Sequence, residues 1–178
     1  RMFTDYFSII FIAPILMNIG GVSESTTVVA LFVYGISGIL GTVIGSKFVD
    51  KHTSAALVIP LFIVTCSLAS ITMLAPHWNA FLVMAVFWGA STTAVILAFQ
   101  TILLRYAKDA ADVATALFSG IFNIGIGGGA FLGSHLSVAF GFSSLGYAGA
   151  GLVGICLLGC LILWITKGNA ILGGQEKV

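Results

Sequence analysis

Hydrophobic residues run through this chain in six long stretches, separated by short breaks of polar and turn-forming residues. A membrane span needs roughly 20 mostly apolar residues, because the hydrocarbon core is about 30 Å thick. In lipid each backbone N–H and C=O must be paired within its own segment, so such stretches become helices. The pattern predicts helices over residues 3–19, 26–48, 55–74, 78–106, 113–140 and 145–166, with a short tail over 167–178. The intervening turns include Gly20-Gly21-Val22-Ser23, Ala75-Pro76-His77-Trp78-Asn79 and Gly141-Phe142-Ser143-Ser144. The ~10-residue alternating segments of a membrane barrel do not occur. The expected class is therefore an all-α integral membrane protein, with residues 1–166 forming one six-helix bundle.

Composition sharpens this picture. Of 178 residues, 59% are hydrophobic and only 7% are charged, whereas a soluble domain carries about 25% charged residues. The basic residues Arg1, Lys47, Lys51, Arg105, Lys108, Lys167 and Lys177 all fall at one end of the expected bundle. Basic residues favour cytoplasmic loops, so both ends of the chain are expected in the cytoplasm. No basic patch of the kind that grips nucleic acid is present. The chain opens on Arg1 and enters an apolar run at once, as though cut from something longer. Cys66, Cys156 and Cys160 all lie inside apolar runs and read as small packing residues. No metal or cofactor is expected.

Small and polar residues take separate faces. The second helix carries Gly35, Gly38, Gly41 and Gly45 on one face, and the fifth carries Gly125, Gly129 and Gly133. Glycines sharing a face let helix backbones approach closely in lipid. On the other side of the fifth helix stand Ser119 and Asn123. The fourth helix aligns Trp88, Ser91, Thr92, Val95 and Phe99 in one aromatic and hydroxyl stripe. Polar groups at membrane depth usually face a protein interior or a wet cavity. Asn123 and Gln100 are the stronger signals, since Ser and Thr can bond their own helix. For Asn123, cavity lining and a helix–helix hydrogen bond are equally open. Asp5 is the one acid placed to lie within a span, where a carboxylate is a candidate for proton coupling; a position in the headgroup zone beside Arg1 is the plainer alternative.

Two motifs point to chemistry that the context denies. Residues 125–130 fit G-x-G-x-x-A, but a dinucleotide fingerprint needs a preceding strand. Gly89-Ala90-Ser91-Thr92 resembles the nucleophile motif of rhomboid proteases, with His135 as the base. Ser91 lies ~20 Å from the outer end of its helix and His135 ~7 Å from the outer end of its own, at 1.5 Å per residue. A nucleophile and its base must be within hydrogen-bond reach. The chain is not expected to be an enzyme.

Ser46-Lys47-Phe48-Val49-Asp50-Lys51 resembles the loop motif G-[RK]-[LF]-x-D-[RK] of major facilitator transporters, in the copy between their eighth and ninth helices. Ser46 replaces the first glycine, and His52-Thr53-Ser54 lacks the basic residues that follow in that motif. Trp88-Gly89, Gln100, Asp112-Val113-Ala114, Asn123-Ile124-Gly125, Gly129 and Gly133 are similar to helices ten and eleven of the drug–proton antiporter branch. Within that branch the similarity is to bacterial exporters of arabinose-type sugars and purine nucleosides. Phe11-Ile12-Ala13-Pro14 resembles the aromatic-x-x-Pro of the seventh helix.

The resemblance spans essentially the whole chain and implies the C-terminal six-helix half of a major facilitator fold, built as two three-helix inverted repeats. It implies a secondary transporter of the bacterial inner membrane that exports a small solute by alternating access, in exchange for protons. Its partner within the protein would be the missing N-terminal six-helix half. Asp5, Tyr6, Trp88, Thr92 and Asn123 would line the substrate cavity. Lys47, Asp50 and Lys51 would stand at the cytoplasmic gate, with Asp50 paired to Lys51. A non-transporting six-helix scaffold or an intramembrane protease is the alternative.

Overall fold

The structure, a computed structural model, describes residues 13–167. Phe3–Phe11, and with them Asp5 and Tyr6, lie outside the described residues, as does the tail beyond Lys167. Six helical segments follow one another: α1 (residues 13–18), α2 (Glu24–Val49), α3 (Thr53–Leu74), α4 (Trp78–Tyr106), α5 (Ala111–Phe140) and α6 (Ser143–Lys167). A 3₁₀ turn, Lys108–Ala110, joins α4 to α5. The described residues contain no strand. Among the described residues, five helices are long and apolar enough to cross a membrane.

Local chemistry moves several helix ends from where the hydrophobic pattern puts them. Ser23 caps α2, accepting from the Thr26 amide at 3.3 Å, so the helix opens at Glu24 rather than residue 26. A hydroxyl at this position satisfies one of the free amides of the first turn. α3 opens two residues earlier than residue 55, where the Thr53 hydroxyl donates to the Val49 carbonyl at 2.9 Å and bridges the turn between the helices. α5 ends at Gly141, whose φ of 81° suits a residue without a Cβ.

Helices α2 and α4 pack most closely, and α3 lies against both α4 and α6. Two apolar clusters fill these seams. One holds Ile15, Leu16, Tyr34, Ile71, Phe81, Met84 and Trp88. The other holds Val49, Leu57, Leu61, Val95, Ala98 and Leu157 towards the opposite end. Helix α5 is different: of its 30 residues only Ala114 and Gly133 are buried.

The glycines of α2 show why it sits so close to α4. A Cβ on Gly41 would run into the Ala90 backbone, and one on Gly38 would stand 3.0 Å from Thr93 Cγ2. Gly45 faces Ala94 in the same way, and from the other side Gly89 lies against Tyr34 and Ser37. At this closest approach Thr93 Oγ1 donates to the Gly38 carbonyl at 2.8 Å. The close approach of α2 and α4 thus runs along Gly38, Gly41 and Gly45. On α5, a Cβ at Gly125 meets nothing within 4 Å. Gly129 is half-buried and Gly133 is buried.

Candidate functional site

Consecutive helices run in opposite directions, so the C-terminal ends of α2 and α4 and the N-terminal ends of α3 and α5 share one end of the bundle. Lys47, Lys51, Arg105 and Lys108 all stand there. One side chain ties three of these helix ends together. Arg105, in the last turn of α4, donates one terminal nitrogen to Asp50 Oδ1 and the other to Thr53 Oγ1, each at 2.9 Å. Asp50 follows α2 and Thr53 opens α3. Asp50 is therefore paired across the bundle with Arg105, not with its sequence neighbour Lys51. The reason is direction: Lys47 and Lys51 are exposed, whereas Arg105 comes from a helix packed against both α2 and α3. A guanidinium presents its donors as a rigid fork, which suits two acceptors on different helices.

The aromatic and hydroxyl stripe of α4 turns mainly inward. Trp88 is only 3% exposed and meets Tyr34 edge-on, with centroids 5.4 Å apart and planes at 76°. Ser91 and Val95 are buried on the same side. Trp88 is thus enclosed between α2 and α4 rather than presented on an open wall. Thr92 is half-buried and donates to the Trp88 carbonyl of its own helix at 2.8 Å. Gln100 is half-buried and Phe99 is exposed.

Asn123 stands on the open helix. It is exposed, and its amide nitrogen donates to the Ser119 carbonyl one turn earlier at 2.8 Å. The amide oxygen remains available to an outside donor, since Asn offers both functions. Beside it on α5 runs an apolar strip of Val113, Leu117, Ile121 and Ile124, all exposed. The helix therefore presents a polar amide bordered by an apolar strip, with glycines on a third side.

The arrangement for hydrolysis is not assembled. Ser91 is buried among α2, α3 and α4, while His135 is exposed on α5 and has Nδ1 3.0 Å from its own helix's Phe131 carbonyl. Among the described residues no cluster of His, Cys, Asp or Glu has the makings of a metal site.

Arg105, Thr53 and Thr93 are the residues that sequence reasoning passed over. Arg105 was visible as a topology marker, but its reach over more than fifty positions of chain was not. Thr93 differs from Thr92 by one residue and by 100° around the helix, and only packing shows which of the two faces α2. A sequence profile of the Major Facilitator Superfamily matches residues 2–176 of the chain.

Proposed function

This chain belongs to the Major Facilitator Superfamily, and from that premise we propose that it is the C-terminal half of an exporter that moves a small polar solute outward in exchange for protons. Membership makes the chain part of a membrane transporter. Solute, direction and coupling are our reading. The observation that carries it is the state of α5. Two of its 30 residues are buried, yet it holds an exposed asparagine at mid-span. An amide at membrane depth is costly against lipid and is usually turned to protein or water. A face of that kind suits a pathway between two halves, where binding takes place near the midplane.

In this reading Asn123 offers its amide oxygen to a solute hydroxyl or amine, and Thr92 stands beside the route on α4. Tyr6 supplies an aromatic surface and Asp5 the titrating carboxylate. Trp88, enclosed against Tyr34, sets the spacing of α2 and α4 instead of touching the solute. Lys47, Asp50 and Lys51 belong to the cytoplasmic gate, with Arg105 as the partner of Asp50. Alternation needs an interaction present in one state and absent in the other. An ion pair across three helix ends meets that need. A sugar or nucleoside fits hydrogen-bonding amides and aromatic faces together.

The test is flux of labelled pentoses and purine nucleosides into inside-out vesicles containing the full-length protein. An imposed proton gradient should drive uptake, and Asn123→Ala should cut it about tenfold, the loss of one good polar contact, at unchanged protein level. Uptake indifferent to both the gradient and Asn123→Ala would overturn the reading.

A further inference from the structure

A groove of about 260 Å³ opens on the outside of the bundle between α2 and α3, with α4 as its floor. It exists because α2 and α3 each lie against α4 but touch one another little. Gly41, Ala90 and Ala94 keep the floor low. Ile44, Phe48 and Ile59 form exposed apolar walls, and Pro60 lines the α3 side. On α2 the lining runs from Gly41 to Phe48, about 10 Å at 1.5 Å per residue, or some two-thirds of one leaflet's hydrocarbon depth.

The end of the groove at Phe48 and Ala55 meets the basic end of the bundle. Lys47 and Lys51 are exposed there, and the His52 ring lies 5.6 Å from that of Phe48. The local acid, Asp50, is engaged by Arg105. These four charged side chains leave a surplus of two positive charges at the mouth. No side chain caps the first turn of α3, so its leading amides have no side-chain acceptor. Unpaired amides at a helix start favour an anion.

We propose that this groove holds one acyl chain of an anionic phospholipid, with the phosphate headgroup against Lys47, Lys51 and the start of α3. The apolar trough and the positive mouth are continuous, and only an amphiphile with a negative head satisfies both. A zwitterionic lipid fills the trough but gains little at the mouth. Occupancy braces α2 against α3 next to the Arg105 ion pair, so lipid composition bears on the same helix ends. The inference rests on the membrane placement of the bundle and not on the solute or the coupling ion.

The experiment is tryptophan quenching in the full-length protein carrying Ile59→Trp, reconstituted in phosphatidylcholine with increasing fractions of brominated lipid. The signal of the protein without this substitution is subtracted. Brominated phosphatidylglycerol should associate beside the introduced indole more strongly than brominated phosphatidylcholine by about fivefold or more, since each basic side chain near the surface favours anionic lipid by about that factor. Lys47→Gln with Lys51→Gln should bring the ratio close to one. Equal association of the two lipids overturns the proposal. So does an anionic preference that survives loss of both lysines. The readout is binding, so it stands apart from any failure of the transport assay.

Discussion

The two terminal nitrogens of Arg105 reach Asp50 and Thr53, and each of these belongs to a different helix end. Asp50 is 73% exposed and Arg105 32%. An ion pair so open to solvent is worth about 1 kcal/mol or less to stability. In the proposed alternating-access reading, its consequence lies in which state of the bundle it favours. Asp50→Asn should therefore leave the melting temperature in detergent nearly unchanged while shifting the balance of states by up to about fivefold, the equivalent of that energy. Transport rate should fall with it, and the exchange Asp50→Arg with Arg105→Asp should recover part of the loss. Thr93 is a plainer case. Its hydroxyl bonds the Gly38 carbonyl across the α2–α4 seam, and interhelical hydrogen bonds in membranes average about 0.6 kcal/mol. Thr93→Val should lower thermal stability by about that much and leave substrate specificity alone.

Glycines that look alike in sequence separate at the scale of the helix. Gly41 lies where a Cβ would meet the Ala90 backbone. Backbone does not give way as a side chain does, so Gly41→Ala should cost about 1–3 kcal/mol as the helices are forced apart. Gly125 has open space around it, and Gly125→Ala should leave the unfolding transition in place or raise it by up to about 1 kcal/mol through helix propensity. Detergent melts of the two variants side by side check the contrast. Among the described residues, the five long apolar helices and the shared end of Lys47, Lys51, Arg105 and Lys108 were legible in the hydrophobic runs and in the positions of these basic residues. That follows from the bilayer, which demands long apolar helices whatever the tertiary contacts. The close α2 approach was legible too, because Gly38, Gly41 and Gly45 share a face. The partner of Asp50 was not, because Lys51 is adjacent in sequence while Arg105 becomes adjacent only through packing. Nor was the inward turn of Trp88. An aromatic stripe at helical spacing looks the same whether it lines a cavity or fills a seam, and here Tyr34 on α2 claims it.

As a whole the chain is an all-α membrane bundle with the architecture of one half of a major facilitator fold. Its interior is unevenly distributed. Helices α2, α3 and α4 share the two apolar clusters, while α5 stands almost bare with Asn123 on it. In the proposed reading that bare face borders the solute pathway. The most direct test is thiol accessibility at Asn123→Cys, in full-length protein whose Cys66, Cys156 and Cys160 are replaced by alanine. A membrane-impermeant thiol reagent is applied to one side of sealed vesicles and then to the other, with the proton gradient imposed in each direction. Labelling should come from both sides, with the favoured side reversing as the gradient reverses. An introduced thiol that stays unreactive from both sides under either gradient would contradict a pathway along α5.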